Sequence, residues 1–177
     1  HYSKLISNLI PLLEQLTSGP LSQLLSPNCD DAEDVRTIEN FQKLIDKNSI
    51  VYINLDTLAD SIVGSAVGSL FLADLTSVAA ARYASAATNL PPVSVFVDEA
   101  AEMINDAFIQ NLNKGRGAGF ELYIASQTIA DFVAKMGDPA LAMQALGNTN
   151  TTIALRIKDP DTRKFASSLF GETHFAE

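Results

Sequence analysis

The sequence predicts an α/β fold: a largely parallel sheet flanked by helices, preceded by an N-terminal helical segment. From Ser49 onward, short β-rich runs alternate with long helical stretches, which is the pattern of parallel strands joined by crossover helices. Before Ser49 the chain has helical periodicity and no strand signal. The chain of 177 residues is 47% hydrophobic and 19% charged, which is a globular composition with enough apolar residues for a core.

The N-terminal part is predicted to be entirely helical. One helix ends at Gly19-Pro20, and a short piece, LSQLLS, follows it before a polar acidic loop. A second helix is predicted over residues 35–47, with apolar side chains on one face, namely Ile38, Phe41, Leu44 and Ile45. The change of pattern near residue 48 predicts two parts: residues 1–47, and residues 48–177 carrying the sheet.

The second part is predicted to have the order β-α-β-α-β-α-β-α. The predicted strands are Ile50–Leu55, Val93–Val97, Phe120–Ser126 and Thr151–Ile157. The predicted helices cover residues 59–87, 99–114, 129–136 with 139–146, and 160–170. The apolar run at residues 61–73 is shorter than a membrane span and is interpreted as a buried helix.

Charge and composition exclude some classes of function. The net charge of −9 argues against a domain that coats nucleic acid with a general basic surface. Cys29 and His174 have no partner ligands at useful spacing, so neither metal binding by these residues nor nucleophilic catalysis is predicted.

Polar residues directly follow the predicted strands. In open parallel sheets ligands bind beyond the carboxyl ends of the strands, so residues at these ends should share one edge. They are Asp56, the pair Asp98-Glu99, Gln127 and the turn Lys158-Asp159. Asp56 competes with Asp98 for a metal-binding role, but it is interpreted first as a cap for the helix that begins near Leu58.

Asp98 and Glu99 raise the sharpest question, because two neighbouring carboxylates end the apolar strand VSVFV. A divalent cation reverses the electrostatic cost of placing them together. The pair therefore fits a Walker B site, in which Asp98 holds Mg²⁺ and Glu99 orients and deprotonates the water that attacks a γ-phosphate. A simpler and compatible interpretation is that both are acids at a helix N-terminus.

Two further residues have alternative interpretations. Arg116 lies in GRGAG and could reach across a subunit boundary as an arginine finger, or could complement a helix C-terminus. Gln127 could sense a γ-phosphate or position the lytic water, although capping by Ser126 or Thr128 also explains polarity there. The P-loop pattern G-x-x-x-x-G-K-[ST] is absent from the sequence.

Together, VSVFVDEAAEM, NKGRGAGFELYIASQT and GNTNTTIALRIKDPDT resemble the TraD/TraG-type conjugative coupling proteins. The resemblance spans nearly the whole chain, and IVYINLDTLAD and GSLFLADLTSVAAARY fit it as well. It implies a RecA-like P-loop NTPase, with residues 1–47 as the latter part of an inserted all-α domain and residues 48–177 as the Walker B half of the motor. Asp98 and Glu99 match the Walker B pair, Gln127 the glutamine after the third strand, and Arg116 an arginine acting on a neighbouring subunit's nucleotide.

The resemblance also implies cofactors, partners and place. They are ATP and Mg²⁺, a homo-hexameric ring, DNA, a relaxase and other type IV secretion components, at the cytoplasmic face of the bacterial inner membrane. The parent's transmembrane anchor would lie outside this chain, which would be inactive alone. An alternative is a non-catalytic docking module, with residues 1–47 recognising a relaxase or accessory protein; a helicase half is less favoured.

Overall fold

The chain has a mixed α/β structure with several helices and a small parallel sheet of two strands. It divides into two compact units, His1–Leu75 and Thr76–Glu177. This division falls inside a helix and does not test the predicted boundary near residue 48, which stays a prediction. The computed structural model describes residues 2–25, 28, 30–55, 61–85, 89–105, 108–109 and 115–170.

The first unit consists of helices around a small apolar cluster. Its elements are α1 (Tyr2–Thr17), α2 (Gly19–Leu25), α3 (Phe41–Asp46) and the first part of α4 (Ser61–Ala84). Leu16, Val63 and Val67 form the buried cluster, and the partly buried residues against it are Leu12, Leu21, Leu55 and Phe71. The predicted helices at the N-terminus are confirmed, with α1 continuing through Pro11.

The second predicted helix is shorter than expected. α3 begins only after Asn40, whose side chain accepts a hydrogen bond from the Lys43 N–H and so caps the helix. The residues before this cap are not helical, and Val35 and Ile38 are 87% and 59% exposed. The prediction of a helix from residue 35 was therefore wrong. The apolar periodicity continues on the N-terminal side of Asn40, but the helix begins only after that cap.

The second unit contains the sheet. Its elements after α4 are β1 (Val93–Val97), α5 (Ala100–Met103), a 3₁₀ turn (Gly115–Ala118), β2 (Phe120–Ile124), α6 (Ile129–Met136), α7 (Pro139–Gly147) and α8 (Pro160–Phe170). The strands are parallel, with Val93 opposite Phe120 and Val97 opposite Ile124. The predicted positions of β1, α6, α7 and α8 are confirmed, and helix α6 packs against α5, α7 and α8.

The two faces of the strand pair differ. Val97 and Phe120 are buried on one face, whereas Phe96 and Tyr123 on the other face are 73% and 51% exposed. Their rings are stacked with centroids 4.6 Å apart. The apolar strand VSVFV is therefore covered on only one face by the described part of the chain.

Two predicted strands do not join the sheet. The segments Ile50–Leu55 and Thr151–Ile157 have no strand assignment, and the described ladder contains only β1 and β2. Several of their apolar side chains are exposed, and Ile50 and Leu155 are 100% and 87% exposed. Both predictions were wrong for this structure, because strand propensity favours extension but a ladder also needs a neighbour with free backbone groups.

The helix predicted over residues 99–114 is interrupted. Helix α5 ends at Met103, and Ile104 has an extended backbone with ψ of 129°. The Asn105 side chain then accepts a hydrogen bond from the Phe108 N–H at 2.9 Å, which starts a new helical turn at residues 108–109. The interrupted segment still packs apolar side chains inward, since Ala100, Ile104 and Phe108 are all buried.

Helix α4 covers most of the predicted range 59–87. It is 24 residues long, and by length and composition alone it could cross a membrane, with mean hydropathy 1.6 over a window that is 44% buried. A core helix of a soluble protein passes the same test.

Candidate active site

Glu99 sits at a strained position between β1 and α5. Its φ of 50° and ψ of 44° place the backbone in the left-handed region, where a side chain other than glycine costs roughly 1–2 kcal/mol. Two bonds flank it: the Glu99 N–H donates to Asp98 Oδ1 at 3.0 Å, and the Ala100 N–H donates to the Ala125 carbonyl at 2.9 Å. The fold therefore holds Glu99 where local preference disfavours it.

Gln127 contacts Glu99 directly. The Gln127 side chain donates from Nε2 to Glu99 Oε1 at 2.8 Å, although the two residues are 28 positions apart in the chain. The parallel register explains this, since Val97 lies opposite Ile124 and the Ala125 N–H donates to the Val97 carbonyl at 2.9 Å. The prediction that residues after the two strands share one edge is confirmed for this pair.

The backbone after Gln127 is also fixed. Thr128 and Asp131 form a capping box at the start of α6, in which each side chain accepts from the other residue's N–H. The Ile129 N–H donates to Thr162 Oγ1 at 3.0 Å, which ties α6 to the beginning of α8. Thr128, not Ser126, is thus the cap, and the Gln127 amide remains available for Glu99.

Asp98 has the surroundings of an accessible carboxylate. It is exposed at the rim of a depression whose other lining residues are apolar or aromatic, namely Phe96, Val97, Tyr123, Ile124 and Ala125. No group of three or more metal-ligating side chains occurs among the described residues. A Mg²⁺ ion held by Asp98 would therefore need most of its remaining ligands from phosphate and water.

The other strand-end candidates have different outcomes. Asp159 caps α8: its Oδ2 accepts from the Thr162 N–H at 2.7 Å. The backbone N–H of Thr162, followed by the Thr162 hydroxyl, lowers the pKa of the Asp159 carboxyl. Asp159 therefore has a structural role. Lys158, next to it in the chain, is exposed. Asp56 lies outside the described residues.

Arg116 lies at the opposite edge of the sheet. It belongs to the 3₁₀ turn that precedes β2, so it is at the amino end of the strand pair, whereas Glu99 and Gln127 are at the carboxyl end. Five-residue strands separate these edges by roughly 16 Å. Arg116 is exposed, and this separation is too large for contact with Glu99 of the same chain in this structure. The predicted helix end at Lys114 lies outside the described residues.

The glycines near Arg116 have a packing role. A Cβ on Gly117 would lie 2.8 Å from Cε2 of Tyr83, and Gly119 has φ of +77°. Arg82, which is 6% exposed, donates from Nη2 to the Pro91 carbonyl and lies over the Phe120 ring. The sequence predicts no role for Arg82 or Tyr83. It shows only that a cation and an aromatic residue stand at the end of an apolar helix.

A carboxylate pair, Asp98 and Glu99, and an amide, Gln127, follow the carboxyl ends of two parallel strands. This is the end of a parallel sheet at which α/β proteins bind ligands. Residues 92–177 match a family described as the TraM recognition site of TraD and TraG. This match covers just under half of the chain and supports the resemblance to a fragment of a TraD/TraG-type coupling protein. No curated protein and no solved structure matches the chain.

Proposed function

We propose that this chain is the Walker B half of a RecA-like P-loop motor in an ATP-driven coupling protein that moves DNA during bacterial conjugation or type IV secretion. The observation that carries the proposal is the 2.8 Å contact between Gln127 Nε2 and Glu99 Oε1, beside Asp98, at the carboxyl ends of two parallel strands. Backbone strain at Glu99 supports it, because strained residues concentrate at functional sites.

Each residue has a distinct role in this proposal. Asp98 holds Mg²⁺, directly or through water, and the bound ion supplies positive charge that offsets the negative charge of the phosphates. Glu99 accepts a proton from the attacking water, and its exposed carboxylate leaves room for that water. Gln127 orients the water or contacts the γ-phosphate.

Arg116 acts in this proposal on the nucleotide of a neighbouring subunit. A cation at the amino edge and an acidic pair at the carboxyl edge favour head-to-tail association, in which one subunit's arginine meets the next subunit's carboxylates. Closed head-to-tail association gives a ring, which agrees with the homo-hexamer proposed for the parent. The parent would act on DNA and a relaxase at the cytoplasmic face of the inner membrane.

The isolated chain should have negligible ATPase activity, since its sequence lacks the phosphate-binding loop. In the full-length parent, Glu99→Gln should reduce DNA-stimulated ATP hydrolysis roughly 100-fold or more while leaving nucleotide binding intact. Glu102→Gln is the matched control, because Glu102 is an exposed acid three residues further along the same helix. Unchanged turnover in Glu99→Gln would rule out the role of Glu99.

A second candidate function is docking of a TraM-type accessory protein, which the description of the matched family favours. We propose the stacked pair Phe96 and Tyr123 as a contact point, because exposed aromatics are typical anchors of protein interfaces. Phe96→Ser should weaken binding of the chain to such a protein about tenfold or more, measured by calorimetry.

Controls separate this surface from other docking modes. Leu155→Ser removes an even more exposed apolar residue elsewhere in the matched region and should leave affinity unchanged. Deletion of residues 1–47 tests the alternative in which the N-terminal helices do the docking. Full affinity in Phe96→Ser would rule out Phe96 as a contact point. Loss of binding on deletion of residues 1–47 would instead place the docking site in the N-terminal helices.

A further inference from the structure

The contact between Gln127 and Glu99 has a second consequence for the proposed site. We propose that Gln127 is a positioning residue that restrains the Glu99 carboxylate while nucleotide is absent, and that a phosphate oxygen of bound MgATP displaces Glu99 from the amide. This inference rests on the function proposed above. It adds a regulated state to that site, in which the general base is engaged by a neighbouring side chain before substrate arrives.

The bond is suited to exchange. Glu99 and Gln127 are both exposed, so water competes for each partner and the bond contributes little net stabilisation. A buried bond between the same groups would resist displacement more strongly. The amide can therefore release Glu99 when a better acceptor enters.

The backbone positions at both residues are fixed, so the exchange needs only side-chain rotation. Glu99 is held by its flanking bonds to Asp98 and Ala125, and Gln127 lies between β2 and the capping box of α6. Rotamer changes of exposed side chains occur in picoseconds to nanoseconds. A change at Gln127 is thus local and fast.

The chemistry of the groups makes them competitors. A carboxylate and a triphosphate oxygen are both acceptors only, and the Gln127 Nε2 donor can serve either. Once the phosphate takes this donor, Glu99 Oε1 is free to accept a hydrogen bond from water. Occupancy of the nucleotide site would then determine when the base is available.

The first experiment uses the isolated chain and the side-chain amide resonances of Gln127 in ¹H–¹⁵N NMR spectra. Glu99→Ala should shift these resonances, because the amide loses its acceptor. Gln42 provides a matched control, since its Nε2 donates to Asp46 Oδ1 at the same distance of 2.8 Å. The Gln42 resonances should move in Asp46→Ala and stay unchanged in Glu99→Ala. Identical Gln127 resonances in the wild type and Glu99→Ala would overturn the restraint.

The second experiment uses the full-length parent with Mg²⁺ and a non-hydrolysable ATP analogue. We expect the Gln127 amide resonances to leave their nucleotide-free position, and with the analogue bound the resonances of Glu99→Ala should lie close to those of the wild type. Nucleotide binding with unmoved Gln127 resonances overturns the exchange and leaves the proposed motor function standing. A parent that binds no nucleotide overturns the proposed motor function and the exchange together, while the first experiment still decides the restraint.

Discussion

The guanidinium of Arg82 lies over the ring of Phe120, with its Cζ 5.4 Å from the ring centroid. This cation is 6% exposed, and its buried Nε and Nη1 groups have no hydrogen-bond partner among the residues that the structure describes. Nη2 donates to the Pro91 carbonyl. The amino end of the strand pair thus contains a buried charge that is only partly compensated.

Arg82→Met should leave stability unchanged or raise it by about 1 kcal/mol. Methionine keeps apolar contact with Phe120, and the substitution removes two unsatisfied donors at the cost of one hydrogen bond. The free energy of unfolding in urea provides the measurement. A clear loss of stability in Arg82→Met would mean that the guanidinium is better compensated than its contacts indicate.

The left-handed backbone of Glu99 gives a second prediction. Glu99→Gly and Glu99→Ala both remove the bond to Gln127, but only glycine relieves the strain at φ of 50°. Glu99→Gly should therefore be more stable than Glu99→Ala by about 1 kcal/mol in urea denaturation. Equal stability of the two variants would contradict strain at this position.

Gly117→Ala tests the close approach between the 3₁₀ turn and Tyr83. The new Cβ would lie 2.8 Å from Cε2 of Tyr83, whose side chain is 63% exposed and can move aside, so we expect a loss of at most about 1 kcal/mol in the free energy of unfolding. Gly147→Ala is the matched control, because nothing lies within 4 Å of its added Cβ and alanine favours helix α7.

The cause of the Gly117 effect can be isolated in a double-mutant cycle. Tyr83→Ala removes the ring that the new methyl group meets, so Gly117→Ala should cost much less in that background. Additive losses in the double variant would show that Tyr83 is not responsible.

Asp159 should make stability depend on pH. Its hydrogen bonds from the Thr162 backbone and hydroxyl lower its folded-state pKa below the ordinary value of 3.8. The stabilisation is therefore present above the unfolded-state pKa and is lost as the pH falls through the lower folded-state pKa. The measurement is the free energy of unfolding of the wild type and of Asp159→Asn, followed from about pH 7 down to about pH 2. The two free energies should converge at the acid end. A constant difference across this range would contradict the linkage.

Local signals explain the correct predictions of secondary structure. Helix α6 begins at the Thr128 capping box, and α7 begins with the Asp138 cap followed by proline, so each helix start is determined by a few neighbouring residues. The same kind of signal was missed at Asn40 and Asn105, where a cap inside an apolar-periodic run shortens or divides the predicted helix.

The sequence by itself determined β1, β2 and the helices α6, α7 and α8, and placed Asp98, Glu99 and Gln127 after those two strands, because capping, periodicity and strand ends are local properties. The tertiary structure alone decided that Gln127 contacts Glu99, that Arg116 lies at the other edge, and that the segments at 50–55 and 151–157 stay outside the described ladder. The physical reason is that pairing depends on groups far apart in the chain, whose approach is set by packing and register.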